Sequence, residues 1–287
     1  MITKNYIHGW NIYQKLQKNN SSSILNEIFG KYQVWKNETE KLNSENNDDL
    51  NKKVSLLNDY KNYIDQLSEK GIIKMQDKMA SSVLEEFLFQ LSKNIPYIQS
   101  SMENNLIYVG QAKAYTDLSF APKDFSDFLK TPGVYINKKN QDFTISKVVK
   151  CLFETNGKQE RVELVVPAVA IECKTFIPST MLGQSVFEAQ RLKQGNPYSL
   201  YLIVAEQNAL SEDINLKNSP IDEIFILRKQ KRNSAKNTTN DKKPIDLQVI
   251  KELYECIKYH LTSDWFNPTK ATERGRLIQV KKIHDYE

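Results

Sequence analysis

The sequence predicts an α/β fold, a mixed sheet flanked by helices, with a helical N-terminal region. Before Pro96 the chain is highly charged and its apolar residues recur at helical spacing, whereas later segments are short and rich in Val, Ile, Tyr and Phe, as in strands. A helical pattern separates two of the strongest strand patterns, which indicates a parallel crossover. We therefore expect a helical region over residues 1–78 and an α/β core over residues 79–287, within the size range of one or two domains.

Composition excludes several classes of protein. The sequence lacks both a run of about 18 to 20 apolar residues and the apolar core of a signal peptide, so we expect a cytoplasmic protein with no membrane partner. Its three cysteines are scattered and contain no CxxC pair, which argues against a disulfide framework or a zinc site. The net charge of +5 is compatible with nucleic-acid binding but does not establish it.

Four helices can be placed from apolar spacing and end signals. The first lies in "VSLLNDYKNYIDQLSEK", and the second in "KMASSVLEEFLFQLSKNIP", where Pro96 follows the end. The third, in "TMLGQSVFEAQRLKQG", stops at Gly195, and the fourth begins after the N-cap candidate Asp246 in "IDLQVIKELYECIKYHL". The polar, basic stretch Lys229–Pro244 before the fourth helix predicts a surface loop.

The predicted strands surround the third helix. They are "NLIYVG", "AYTDLSFAP", "GVYIN", "DFTISKVVKCLFET", "RVELVVPAVAIECKTF", "YSLYLIVAE" and "DEIFILRK". Neither GxGxxG nor GxxxxGK[ST] occurs, so a phosphate-cradling nucleotide fold is not supported.

The strand "VVPAVAIECKTF" carries an unexpected pair of charges. Alternation along a strand puts Ala170, Glu172 and Lys174 on one face, with Cys173 on the other. Burying a carboxylate and an ammonium is unfavourable unless they pair or bind something, so a functional role is the more economical explanation. An ordinary salt bridge at the strand end is the alternative.

A second carboxylate can reach the same place. Asp142 opens a strand 30 residues before Glu172, and a meander between them would bring the two together. Asp142, Glu172 and the backbone carbonyl of Cys173 are hard oxygen ligands suited to Mg²⁺, which keeps its waters for a substrate phosphate. Lys174 would lie beside a metal-bound water, where it could orient or help deprotonate this nucleophile and stabilise the charge that grows on the phosphate. Asp117 and Asp127 are alternatives to Asp142.

These residues resemble a known family. "QDF" followed by "AIECKT" looks like the PD-(D/E)XK nuclease signature, although Gln141 stands where the family name has proline. The closer resemblance is to BbvCI-type restriction endonucleases, over about Ser82 to Val280. It lies in "SVLEEFL", "NQDFTIS", "VAIECKT", "DEIFILRKQ" and "GRLIQV".

The resemblance implies a PD-(D/E)XK restriction-endonuclease-like core with Asp142, Glu172 and Lys174 as catalytic residues. Glu86, on the first core helix, would add to the metal site, and Glu85 beside it is an alternative. The implied activity is Mg²⁺-dependent type II cleavage of double-stranded DNA at a target related to CTNAG or CCTNAGC. The protein would act as a homodimer or as a heterodimer with a related subunit, with residues 1–78 serving DNA binding or dimerisation.

Two other functions are compatible with the same motif. A PD-(D/E)XK nuclease of DNA repair or junction resolution would share it, and a DNA-binding partner subunit would resemble it without doing the chemistry. The partner subunit is disfavoured because this chain keeps both Glu172 and Lys174.

Basic and amide side chains near the proposed site are candidates for DNA contacts, since such groups bind phosphates and base edges. A solvated surface is the ordinary alternative for each of them. The candidates are Lys138, Lys139, Asn140, Gln141, Gln184, Arg191, Arg228, Lys229, Lys231 and Arg232.

Overall fold

A computed structural model describes residues 5–19, 22–74, 78–232 and 242–275 of the chain. The predicted motif "GRLIQV" lies outside these residues apart from its glycine, and so does the middle of the predicted basic loop. The elements in chain order are α1 (Ile7–Lys18), α2 (Ser23–Glu40), α3 (Asn47–Glu69), α4 (Lys78–Ser92), α5 (Ile98–Glu103), β1 (Tyr108–Phe120), α6 (Phe125–Lys130), β2 (Val134–Thr155), β3 (Lys158–Pro178), α7 (Ser179–Gly195), β4 (Leu200–Ala209), β5 (Glu223–Ile226), α8 (Leu247–Thr262) and α9 (Pro268–Glu273).

The helix α3 shows why the N-terminal region is helical. The Asn46 side chain caps it by accepting hydrogen bonds from the backbone N–H groups of Asp48 and Asp49. Both aspartates are in the first turn, where negative charge favours the helix dipole. The predicted apolar stripe is buried, and it comprises Val54, Leu57, Tyr60, Ile64 and Leu67.

Within the described residues the strands form one five-stranded sheet in the order β1-β2-β3-β4-β5. The first three strands are antiparallel, while β3–β4 and β4–β5 are parallel, with α7 as the crossover between β3 and β4. The predicted mixed sheet is confirmed. The sequence predicted four strands before residue 156, but the structure has two longer ones, β1 and β2. The β1–β2 pairing continues through register shifts at Gly110/Ala112 and Tyr115/Asp117, so neither strand ends there.

Helices cover both faces of the sheet. Val169 and Ile171 of β3 belong to an apolar core that they share with helices α1 to α4 and α8. Ala170, Tyr201 and Ile203 belong to a second core, which packs against α7. The strands β3 and β4 are therefore buried on both sides, and polar groups are accessible chiefly where these strands end.

A buried network of charges joins α3 to the sheet. The ammonium of Lys61 lies 3.0 Å from a carboxylate oxygen of Glu206 on β4 and also pairs with Asp65. The Arg228 guanidinium donates to the other oxygen of Glu206 at 2.9 Å, and Lys242 lies 2.9 Å from Asp65. Both acidic side chains are at least 93% buried, so their cations are needed to offset the loss of water.

Two of the predicted DNA contacts have buried side chains. Arg228 is 1% exposed and is held by Glu206 and by the backbone carbonyl of Lys243. Gln141 is also 1% exposed, and neither polar atom of its side chain has a hydrogen-bond partner among the described residues. Neither side chain can reach a DNA surface in this arrangement.

No helix in the described ranges combines the length and the apolar character needed to cross a membrane.

Replacing Arg228 by alanine should destabilise the protein strongly. Removal of this cation leaves the buried carboxylates of Glu206 and Asp65 with less positive charge, and breaking such a pair costs about 3 to 5 kcal/mol. The free energy of unfolding in urea, followed by tryptophan fluorescence, measures the loss. Lys231→Ala is the matched control: its ion pair with Glu212 is exposed, so its loss should stay below about 1 kcal/mol. Equal losses would contradict the structural role of the network.

Candidate active site

The register of β2 and β3 brings the two candidate carboxylates together. Phe143 lies opposite Ile171 in this antiparallel pair, so Asp142 comes next to the end of β3 that carries Glu172. The backbone N–H of Cys173 donates a hydrogen bond of 2.9 Å to Asp142 Oδ2. The meander expected from the sequence thus forms, and Asp142 is tied to the Glu172–Lys174 segment.

Glu172 is fixed by two donors. Lys174 Nζ lies 3.2 Å from Oε1, and the Ser185 hydroxyl of α7 donates to Oε2 at 2.5 Å. Glu172 is buried, whereas the Lys174 side chain is 28% exposed. The pair lies at the end of β3, beside the parallel strand β4.

The electrostatics of these groups are coupled. The pKa of Asp142 is raised by burial and by the charges of Glu172 and Glu188, against the Cys173 N–H and the charge of Lys174. Burial tends to lower the pKa of Lys174, but the carboxylates of Glu172 and Asp142 outweigh it and hold this pKa above its ordinary value. Negative charge is therefore crowded at the site, while the lysine stays protonated.

Glu85, rather than Glu86, lies by this site. Burial raises the pKa of Glu85 to about 8, helped by the charge of Asp142 and opposed by Lys78 and Lys174. Successive helix positions point about 100° apart, so Glu86 faces elsewhere. It is completely buried and accepts a hydrogen bond of 3.0 Å from the Gly9 N–H of α1.

The assignment of Glu86 to the metal site is therefore corrected. Both glutamates border the apolar face of α4 in the sequence, and only the position of α1 decides between them. The same part of α1 packs closely on α2, since a Cβ on Gly9 would come 2.1 Å from the Tyr32 hydroxyl. Burial raises the pKa of Glu86 to about 7, against the hydrogen bonds from Gly9, Tyr32 and His8.

A groove adjoins the site between α7 and the β1–β2 hairpin. Gln184, Glu188 and Arg191 recur along one face of α7, and Gln184 Nε2 donates to Glu188 Oε1 at 2.8 Å. Four predicted DNA contacts are among the residues that line the groove, which are Thr116, Asn137, Lys138, Lys139, Gln184, Phe187, Glu188 and Arg191. Asn140, the next predicted contact, is exposed on β2.

The alternative aspartates have other partners. Asp117 accepts a hydrogen bond of 2.6 Å from Arg191 across the groove. Asp127 lies in the exposed first turn of α6, where it accepts from the backbone N–H of Lys123. Neither is shown in contact with Glu172, so Asp142 is the aspartate that the fold brings to the motif.

The remaining candidate cations follow β5. Lys229 lies 3.0 Å from Asp246, and Lys231 pairs with Glu212. The guanidinium of Arg232 lies 3.6 Å above the ring of Phe176, two residues after Lys174 on β3. These cations, unlike Arg228, are at least partly accessible, and Arg232 is near the end of β3 that carries the site.

Comparison with known proteins identifies the family. A sequence model of the Bpu10I restriction endonuclease family matches residues 76–272, about two thirds of the chain. The chain belongs to this family. The protein is therefore a type II restriction endonuclease, a site-specific nuclease whose substrate is DNA, which confirms the resemblance inferred from the motifs.

The fold agrees with this assignment. A structure described as the native BbvCI A2B2 tetramer at low resolution is similar to the chain, with a TM-score of 0.71 and 24% sequence identity. The likeness covers 91% of this chain and 96% of that chain, so it includes the N-terminal helices. No curated protein matches the sequence.

Restriction endonucleases generally depend on a divalent metal ion, so side chains of this protein should be able to bind one. Among the described residues, no three His, Cys, Asp or Glu side chains form a ready-made metal cluster. The chemistry of the site nevertheless fits a hard cation: carboxylates are crowded in a partly buried place, and burial together with two neighbouring carboxylates raises the pKa of Asp142. A divalent ion would relieve this repulsion.

Replacing Glu85 by glutamine should remove a pH-dependent loss of stability in the metal-free protein. The pKa of Glu85 is about 8 in the folded chain and 4.5 ordinarily, so unfolding releases a proton between these values and stability falls as pH rises through them. We expect Glu85→Gln to gain at least about 3 °C in Tm relative to wild type between pH 5 and pH 8.5.

Thermal unfolding in the presence of a chelator measures this effect. Glu69→Gln, at an exposed position near the end of α3, is the control and should follow the wild-type pH profile. If the Glu85 variant also follows the wild-type profile, Glu85 is not a protonated buried group.

Proposed function

We propose that the protein is a Mg²⁺-dependent type II restriction endonuclease whose catalytic residues are Asp142, Glu172 and Lys174. The observation that carries this proposal is the link between the strand ends: Cys173 N–H binds Asp142 while Lys174 Nζ contacts Glu172. Glu85 takes the place in the site that the sequence suggested for Glu86.

The metal ligands would come from three elements. Asp142 of β2, Glu172 of β3 and the backbone carbonyl of Cys173 supply oxygen donors, and Glu85 of α4 lies close enough to interact with Asp142. Bound Mg²⁺ would activate water for attack and neutralise charge on the scissile phosphate. Ser185 has a positioning role, since its hydroxyl holds one oxygen of Glu172 in place.

Lys174 acts as a cation. Without a metal ion its pKa is raised by Glu172 and Asp142 against the effect of burial, so it is protonated at neutral pH. Its partly exposed ammonium lies where it can contact the scissile phosphate and stabilise the negative charge that grows there. The chain thus supplies the electrostatic part of the reaction itself.

DNA would lie across the groove and the strand ends. Lys138, Lys139, Asn140, Gln184 and Arg191 line or border the groove beside Glu172. Arg232 is on the β5 side of the same end of the sheet, together with Lys229 and Lys231. Cations on both sides of the catalytic residues suit contacts to phosphates that flank the cut.

The target and the assembly follow from the resemblance to BbvCI-type enzymes. We expect a target related to CTNAG or CCTNAGC, read by a homodimer or by a heterodimer with a related subunit, since each strand of the duplex needs an active site. The similar structure of BbvCI is described as an A2B2 tetramer. Residues 1–78 would serve DNA binding or dimerisation, and residues 79–287 would cut the DNA.

Replacing Lys174 by alanine should abolish cleavage while DNA binding is largely retained. Loss of the ammonium removes stabilisation of the transition state, and removing one such group typically costs about 100-fold or more in rate. Plasmid DNA incubated with Mg²⁺ and the purified protein should give discrete fragments with wild type. Lys150→Ala, at an exposed lysine on β2, is the control and should cut like wild type.

Two outcomes would contradict the proposal. Cleavage by Lys174→Ala at the wild-type rate would move the active site elsewhere. Scission by wild type that occurs only at lesions, ends or branches would favour a repair or junction-resolving nuclease over a restriction enzyme.

Metal binding should distinguish the two neighbouring glutamates. Because Glu85 interacts with Asp142 and Glu86 binds the Gly9 backbone, Glu85→Gln should weaken Mg²⁺ or Mn²⁺ binding by about 10-fold or more, and Glu86→Gln should leave it unchanged. Isothermal titration calorimetry without DNA measures both affinities. The reverse order would restore Glu86 to the site.

A further inference from the structure

Two cations that face the groove are each paired with a carboxylate in the DNA-free protein. Arg191 Nη2 lies 2.6 Å from Asp117 Oδ2, and Lys139 Nζ lies 2.5 Å from Glu188 Oε1. Each pair joins α7 to the β1–β2 hairpin, so both span the groove from wall to wall. The groove is therefore internally neutralised at the positions where DNA would bind.

Asp117 is well prepared to hold Arg191. Besides the guanidinium, its carboxylate accepts hydrogen bonds from the Asn137 side chain at 2.5 Å and from the Thr116 hydroxyl at 3.0 Å. Burial alone would raise the pKa of Asp117, but these three donors outweigh it and lower this pKa. The carboxylate is charged at neutral pH, and DNA phosphates compete with it for Arg191.

Glu188 is held in a different way. Its side chain is 5% exposed, and Oε1 accepts from both Gln184 and Lys139, whereas Oε2 has no hydrogen-bond partner among the described residues. If Lys139 left for a phosphate, a nearly buried carboxylate would lose its cation. That loss is unfavourable unless another donor takes the place of the lysine.

We propose that Asp117 and Glu188 mask Arg191 and Lys139 in the free enzyme and thereby determine how well the enzyme discriminates its target from other DNA. This inference rests on the proposed function, because it takes the groove as the DNA-binding surface. The masking carboxylates would be specificity-determining residues that take no part in the chemistry.

Base-edge chemistry explains why masking favours the target. Any DNA offers phosphates at every position, which draw Arg191 or Lys139 away, but non-specific DNA does not place a cytosine opposite each carboxylate that is left unpaired. A target that presents a cytosine can supply its N4 amino group, for which Asp and Glu side chains are suitable acceptors. At the target, the cation then binds a phosphate and the carboxylate binds a cytosine amino group. On other DNA, the carboxylate is left without a partner.

Asp117→Asn tests the masking directly. Its binding to a random-sequence duplex, measured by fluorescence anisotropy in Ca²⁺ over a range of salt concentrations, should be tighter than that of wild type. The slope of log K against log salt should steepen by about 0.9, which is the contribution of one additional phosphate contact. The ratio of target to non-target cleavage in Mg²⁺ should fall.

The matched control is Asp264→Asn. Asp264 also pairs with a lysine, Lys270 Nζ at 2.6 Å, and the substitution removes the same charge. It lies next to Trp265, which stacks on Tyr198 just before the start of β4, at the end of the sheet opposite to the site. This variant should keep the wild-type salt slope.

A double variant shows whether Arg191 is the masked group. With Arg191→Gln already present, Asp117→Asn should no longer steepen the salt slope, because no cation is left to release. Glu188→Gln gives an independent measurement through Lys139 and should also tighten non-specific binding. Thermal unfolding of each variant checks that the fold is retained.

Several outcomes would overturn the inference. Weaker binding by Asp117→Asn would mean that Asp117 orients Arg191 for DNA, and unchanged binding or equal tightening by Asp264→Asn would mean that no specific masking exists. If the wild-type protein cuts plasmid and Asp117→Asn binds DNA with wild-type affinity, the masking is refuted but the proposed function is not. Wild-type protein that neither binds nor cuts DNA refutes the proposed function as well.

Discussion

The candidate active site depends on one hydrogen bond, from the backbone N–H of Cys173 to the carboxylate of Asp142. It occurs where β2 and β3 end their pairing, and it holds the carboxylate of one strand against the backbone of the next. A shift of one residue in the register would turn Asp142 to the opposite face of the sheet. The long β2–β3 ladder and the two apolar cores that enclose β3 make such a shift unfavourable, so the fold fixes the site through its register.

Alternation along a strand is a local property, and for that reason the sequence alone predicts that Glu172 and Lys174 lie on the same face of β3. The same holds for the meander that delivers Asp142 and for the crossover helix α7, since both follow from neighbouring segments of chain. The choice between Glu85 and Glu86 is not local. Both border the apolar face of α4, and only the packing of α1 against that helix sends one glutamate to the site and the other to the Gly9 backbone.

The burial of predicted DNA contacts has a similar cause. Arg228 lies in a basic run and was predicted to bind phosphate, but Glu206 on β4 and Asp65 on α3, distant in sequence, give it buried partners. Sequence alone cannot distinguish a basic side chain that stabilises the core from one that binds a ligand. The difference depends on which carboxylates the fold places beside that side chain. Arg191 is an intermediate case, since it has a carboxylate partner but both its side chain and that of Asp117 are about one third exposed.

The balance of charge therefore changes systematically from core to site. In the core, three cations pair with two buried carboxylates, those of Asp65 and Glu206. The cations are Lys61, Arg228 and Lys242, so the negative charge there is balanced without any ligand. At the strand ends the carboxylates outnumber the lysines, and burial, with a smaller contribution from neighbouring carboxylates, raises the pKa of Glu85 and of Asp142. A site that is electrostatically incomplete in this way is less stable than it could be, and under the proposed function the same deficit of positive charge would favour binding of a divalent cation.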